Sequence, residues 1–320
     1  MKIGVFMVLL QNQPFDQALD YVKSIGVQAV EIGTGGYPGK AHCDPERLLA
    51  DAGIFSRFRD AVFSRELELS ALSCHGNPVH PDPALAQAHH KDFEKTVLLA
   101  EKLGVKTVIT FSGCPGDSEQ AKYPNWVTCP WPNDFQEIVK WQWENKIIPY
   151  WKDAARFAGD HGVRVALEMH PGFSVYNPET LLCLRLEAGE AIGANFDPSH
   201  LFWQGMDPIR ALRRLEGAIF HVHAKDTKID PINSLVNGNL DTKPYTEEMH
   251  RAWIFRTVGY GHGAGFWKDL VSNLRIIGYE GALSIEHEDS LMSVKEGLEK
   301  AVAFLRSVVI TEEHGEAWWT

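Results

Sequence analysis

Positive charge is scarce in this sequence: 31 Lys and Arg stand against 42 Asp and Glu, for a formal net charge of -11. That balance opposes extended contact with a phosphate backbone, which calls for a basic face or stripe, so no nucleic-acid partner is expected. Cysteine is sparse too. Cys43, Cys74, Cys114, Cys129 and Cys183 are odd in number and scattered, with no CxxC pair and no zinc-ribbon spacing. This argues against a disulfide framework or a thiolate metal site and fits reduced thiols in a cytoplasmic protein. No apolar run reaches the ~18 residues of a membrane span. The opening MKIGVFMVLLQNQPFD has one lysine and a short apolar run without a small-residue cleavage site, and reads as a buried strand. No linker rich in Pro, Gly or Ser and no low-complexity tract divides the chain, so residues 1–320 are expected to form one domain.

What the chain does have is alternation. Short apolar or β-branched runs are separated by longer amphipathic stretches, the pattern of a parallel sheet with crossover helices. Strands are expected at Ile3 to Val8, Ala29 to Gly33, Leu69 to Cys74, Thr107 to Phe111, Val163 to Met169, Gly193 to Asp197, Ile219 to His223 and Ala282 to Glu286. Between them lie segments such as PFDQALDYVKSIG, DPALAQAHHKDFEKTVLLAEKLG and DPIRALRRLEG, which open at Asp or Pro and often close on Gly, as helices do. Eight such units, with no GxGxxG after the first strand, favour an α/β closed (β/α)8 barrel over an open dinucleotide-binding sheet. Two connections are long, Ser112 to about Asp134 and Lys225 to about Gly265. Both follow strands, the fourth and the seventh, and so belong to the C-terminal face where barrel active sites are built.

Strands five to eight end in ALEMH, GANFDPSH, FHVHAKD and LSIEHED. Side chains alternate along a strand, so Ala166, Glu168 and His170 share one face, as do Asn195 with Asp197, His221 with His223 and Ser284 with Glu286. The opposite face carries Leu167, Phe196, Val222 and Ile285, which suit packing against outer helices. Glu168, Asp197, His223 and Glu286 can therefore all point into the barrel mouth. Three carboxylates converging there require a counter-charge, which a divalent cation supplies. The oxygen and nitrogen set, without thiolate, suits Mn2+, Mg2+, Co2+ or Zn2+, with Mn2+ favoured. Taken singly, each residue has an ordinary alternative: Asp197 before a proline can cap a helix, and His223 can be a hydrogen-bonded core histidine. Matching parity at four successive strand ends is harder to obtain from those causes.

Other residues are assigned to the substrate, each beside a plainer role. His200 either contacts a ligand or substrate or caps the next helix, and His75 either lines the pocket or is a loop histidine. Glu31 has a substrate hydrogen bond and a structural salt bridge equally open to it. Lys225 and Asp226 bind a sugar oxygen or form a solvated loop pair. His262, in GYGHGAGF, marks a turn near the mouth. Trp126, Trp131, Trp141, Trp143 and Trp151 crowd the fourth loop and its helix, and at least half are expected in the core.

At ALEMHP, NFDPSHLFW, HVHAKD and SIEHED the chain resembles the xylose-isomerase-like barrel superfamily of sugar isomerases and epimerases, over almost its whole length from KIGVFM to SIEHED. The superfamily also holds ketose 3-epimerases, inosose dehydratases, C-glycoside deglycosidase catalytic subunits and nucleases of the endonuclease-IV type. The resemblance implies that Glu168, Asp197, His223 and Glu286 bind one divalent metal and that Glu168 and Glu286 also move the proton. The implied reaction is isomerisation or epimerisation of an unphosphorylated sugar or keto-sugar through a metal-stabilised enediolate. The alternative is a lyase of the same superfamily, a 3-keto C-glycoside deglycosidase or an inosose-type dehydratase. After His223 the chain reads AKD, without the arginine-bearing segment of ketose epimerases, so their substrate contacts do not carry over. A homo-oligomer is implied, and a small β-rich partner subunit stays open.

Overall fold

The computed structural model describes residues 1–313 and 315–320. Eight parallel strands close into a barrel: β1 (Lys2–Phe6), β2 (Ala29–Gly33), β3 (Glu68–Ser73), β4 (Thr107–Phe111), β5 (Arg164–Glu168), β6 (Ile192–Phe196), β7 (Ile219–Ala224) and, last in sequence, β10 (Ala282–Ile285). Their order around the barrel is β1-β10-β7-β6-β5-β4-β3-β2. Two further strands, β8 (Asp226–Ile229) and β9 (Trp253–Arg256), pair antiparallel beside it. No helix among the described residues is long and apolar enough to cross a membrane.

Helices arise where the Asp-Pro signals stand. Asp82 accepts from Ala84 and Leu85 N–H to start Pro83–Leu103, which ends on Gly104 at φ 77°. Asp207 does the same for Pro208–Arg214. Each cap satisfies amides that the first helical turn leaves free. Leu167, Phe196, Val222 and Ile285 face outward into the main apolar core between strands and helices, with Trp151 and Trp267 fully buried in it. The barrel interior is small by contrast, with Ala71, Ile109 and Ala166 closed off by Phe220. A Cβ at Gly193 would lie 2.5 Å from the Ala218 carbonyl oxygen, so glycine is required where β6 passes β7.

Two strand ends differ from expectation, and the long seventh connection carries structure of its own. The first strand stops at Phe6, because Met7–Leu10 wind into a 3-10 turn. The sixth stops at Phe196, because Asp197 already caps the helix Pro198–Trp203. The long seventh connection is not all loop: it folds into β8, the short helix Pro231–Asn237, and β9. Of the five tryptophans around the fourth loop, Trp151 is fully buried and Trp143 packs partly against the core, while Trp131 is exposed.

Candidate metal centre

The inward alternation brings the four expected residues together. Glu168 at the end of β5, Asp197 just past β6, His223 on β7 and Glu286 just past β10 each offer a ligand atom, all within 4.8 Å of one another. Irregularities in the sheet help to aim the side chains: the β2–β3 register shifts beside Glu31, and the β6–β7 register shifts beside Asn195.

Glu31 is fully buried behind His223, and not at the mouth. Its carboxylate accepts from Ser73 Oγ at 2.5 Å and Ser284 Oγ at 2.7 Å, and pairs with His223 Nε2 at 3.0 and 3.1 Å. Of its two open roles, the structure gives it the internal pairing. With Nε2 turned to Glu31, the Nδ1 of His223 faces the cluster, 3.0 Å from Glu286 Oε2 and 3.3 Å from Glu168 Oε2. A carboxylate behind a histidine in this way fixes the ring of a metal ligand and makes it more basic.

Glu168 is held from several sides: His75 Nε2 lies 3.1 Å and Asn195 Nδ2 2.9 Å from its Oε2, and His200 Nε2 is 3.2 Å from its Oε1. Asp197 divides its oxygens. Oδ1 accepts from Ser199 N–H at 2.8 Å as the helix cap, so the cap role and the place in the cluster both hold. Its Oδ2 points inward, 3.2 Å from His200 Nε2. His200 therefore sits in the cluster, with its ring 4.1 Å from that of His170. His75 likewise sits against the cluster, flanked by Phe111 at 4.6 Å between ring centres, and Phe111 stacks on Phe173 at 4.2 Å.

Electrostatically the site is poised around missing positive charge. Burial pushes Asp197 up to about 7, with Lys225 pulling it down and Glu168 and Glu286 adding to the rise. Burial likewise pushes Glu168 up, but hydrogen bonds from His200, His223 and His75 outweigh it and hold the carboxyl well below its ordinary range. Burial would lower His223, yet the charges of Glu31 and Glu286 carry it well above its ordinary value. His200 is depressed to about 3, by burial first and then by His170 and Lys225.

The fit to a divalent cation rests on orphaned atoms. Asp197 Oδ2 and His223 Nδ1 are buried without a hydrogen-bond partner, although Oδ2 lies 3.4 Å from the Lys225 ammonium and Nδ1 3.0 Å from Glu286 Oε2. Buried polar atoms are nearly always satisfied, and those that are not mark a missing ion, water or ligand. Three carboxylates and one imidazole, all but one fully buried, match the oxygen and nitrogen preference of a divalent ion.

Two residues expected to contact substrate are engaged by the protein itself. Asp226 is fully buried. Its carboxylate accepts from the backbone N–H of Thr227, Gly259, Gly261 and His262 at 2.8–3.1 Å, and so ties the loop after β9 to the barrel. His262 belongs to the same anchor, with Nδ1 2.8 Å from Asp226 and its ring stacked 3.7 Å from Phe202. Lys225 does face the cluster, as a buried ion-pair partner of Glu286. Sequence reasoning did not single out Asn195, Glu288 or Phe255. Glu288 was within reach, since EHED places it on the same face as Glu286. Phe255, from β9, lies beside Lys225 and His200 through a pairing no local pattern announced.

The chain is similar to several known proteins. The protein YfiH of Bacillus subtilis (strain 168), described as uncharacterized, is 40% identical over 97% of this chain and 99% of its own. An inosose dehydratase of Mesomycoplasma hyopneumoniae (strain J) is 25% identical over 96% of both chains. Among solved structures, an IolI protein with a bound zinc atom superposes with a TM-score of 0.64 at 20% identity, covering 97% of this chain and 98% of that one. The sequence model of the xylose isomerase-like TIM barrel matches residues 19–308. By that match and by its eight-stranded closed barrel, the chain belongs to the xylose isomerase-like TIM barrel family, whose members include sugar-modifying enzymes.

Proposed function

We propose that this protein is a divalent-metal-dependent sugar isomerase or epimerase acting on an unphosphorylated sugar or keto-sugar. The observation that carries the reading is the placement of both Glu168 and Glu286 beside His223 Nδ1, at 3.3 and 3.0 Å, within the one four-residue cluster. Glu168, Asp197, His223 and Glu286 would hold the ion, with Mn2+ favoured and zinc supported by the IolI relative. A divalent ion bound there supplies a Lewis acid that makes a C–H next to a carbonyl acidic enough for a carboxylate to remove.

The residues of the chain then divide the work. Glu168, fixed by His75, Asn195 and His200, is the more rigid carboxylate and is assigned proton removal. Glu286 is the less buried of the two and is assigned proton return, to the opposite face of the same carbon or to its neighbour. Phe111 and Phe173 offer an apolar wall next to His75 for the C–H face of a sugar. The basic groups nearest the mouth are neutralised, Lys225 by Glu286 and Glu288 and Arg256 by Asp289, which disfavours a phosphorylated substrate.

A dehydratase is the second reading. Lys225, 2.9 Å from Glu286, is placed to help an expelled hydroxyl leave, and the relative of similar length named an inosose dehydratase fits that chemistry. Incubation with ketoses, inososes and 3-keto glycosides in deuterium oxide separates the two. Deuterium in a recovered epimer or isomer supports the first reading, loss of water the second, and release of an aglycone a deglycosidase. Absence of bound metal in the purified protein and after metal supplementation would overturn all three.

A further inference from the structure

Lys225 continues the inward series of His221 and His223, one position nearer the mouth, and is buried at 2% exposure. Its ammonium lies 2.9 Å from Glu286 Oε2, 3.4 Å from Asp197 Oδ2 and 3.0 Å from Glu288 Oε2, with the Phe255 ring centre at 4.5 Å. Two of these oxygens are the ones the cluster has to offer. Asp197 Oδ1 is committed to the helix cap, which leaves Oδ2. Glu286 Oε2 is the oxygen that faces His223 Nδ1. Glu288 is different: it is half-exposed and outside the four-residue ligand group.

We propose that Lys225 is a built-in counter-cation of the ligand set. It pairs Asp197 and Glu286 when no divalent ion is bound, gives those oxygens up to the ion, and is then retained at the mouth by Glu288. The proposal rests on the metal-centre reading and deepens it. The physical need is plain on both sides. Buried carboxylates lacking a counter-charge would splay apart or take up protons, so a resident ammonium keeps the site assembled. A divalent ion and an ammonium sharing the same oxygens repel each other across a short, poorly screened distance, so the second cation must have a carboxylate of its own to go to. The face of Phe255 favours a cation in either position.

The test is calorimetric titration of chelator-stripped, full-length protein with Mn2+ and with Zn2+, together with thermal unfolding with and without the ion. Lys225→Met is expected to bind at least about tenfold more tightly, because the competing cation is gone. The ion should also raise its Tm by more than in wild type, since the stripped form loses its counter-charge while the loaded form loses a repulsion. Glu288→Gln is expected to bind at least about threefold more weakly, because the ammonium is left on Glu286 and Asp197 alone. The Lys225→Met difference should persist at high ionic strength, as its contacts with Asp197 and Glu286 are buried and little screened; its collapse in salt would overturn the contact mechanism. Unchanged or weaker binding by Lys225→Met would overturn the proposal and make Lys225 a support for the ligands. Should Lys225→Met fail to fold, Glu288→Gln decides alone, and unchanged or tighter binding overturns the idea. A wild type that takes up neither ion fails the metal centre itself, an outcome separate from these.

Discussion

At the scale of single residues, the site works by giving neighbouring groups different tasks through their surroundings. Glu168→Gln and Glu286→Gln should each lower turnover by about 10²–10⁴-fold, the usual contribution of a positioned acid or base. The circular dichroism spectrum should be unchanged; wild-type turnover in either variant would remove it from the proton path. Metal binding should depend on pH in a fixed direction. Burial holds Asp197 near about 7, and Glu31 and Glu286 hold His223 well above its ordinary value, so both carry protons that an ion must displace. Affinity should therefore rise as pH increases through about 7, with proton release visible as a buffer-dependent binding heat. A flat affinity across that range would contradict the assignment. The four clustered residues were legible from alternation alone, because a two-residue period fixes which face a strand side chain takes. The internal contacts of Asp226 and His262 are not legible in the same way. The amides that satisfy Asp226 belong to Gly259, Gly261 and His262, far along the chain, and nothing in AKD announces them.

At the scale of elements, the eight barrel strands and the capped helices follow from local signals, while β8 and β9 do not. DTKI and WIFR are four residues each, separated by a helix and loops, with no tight-turn signal between them. Their pairing is decided by the cluster of Trp203, Trp253 and Phe255 that they cover. Trp203 and Trp253 stack at 4.6 Å, and Trp253 meets Phe255 at 5.0 Å. The insertion is therefore a built part of the mouth, and Asp226 is what fastens its far end. Asp226→Ala leaves one buried and three part-buried amides without their acceptor and should destabilise the protein by about 1–3 kcal/mol in urea unfolding. Proteolysis should then begin near residues 257–263; cleavage rates and unfolding midpoints equal to wild type would show the loop held by other means.

At the scale of the whole molecule, the barrel closes so that residues from β2, β5, β7 and β10 and from the connections after β6 and β10 meet at one centre. An ion bound by ligands so far apart in sequence must stabilise the folded chain, because the unfolded chain cannot present them together. Saturation at about 100 times Kd should add about 2.7 kcal/mol, seen as a higher Tm that a chelator reverses. A Tm indifferent to metal and chelator would place the ion outside this centre. The eight-unit count, read from strand-like runs, was enough to recognise this architecture. The closing partner of β1 is β10, nearly the full chain away, the neighbour that a closed eight-stranded barrel requires.

The double use of Asp197 has a consequence for how such a centre can change over time. One oxygen starts a helix whose first turns carry Ser199 and His200, and the other looks into the cluster. A glutamate there would conserve the charge yet lengthen the arm, so it could not cap Ser199 and reach the cluster from the same backbone position. The residue is thereby locked against its nearest chemical substitute. A change in the donor set of this candidate centre would have to come at Glu168, His223 or Glu286, leaving Asp197 as its fixed point.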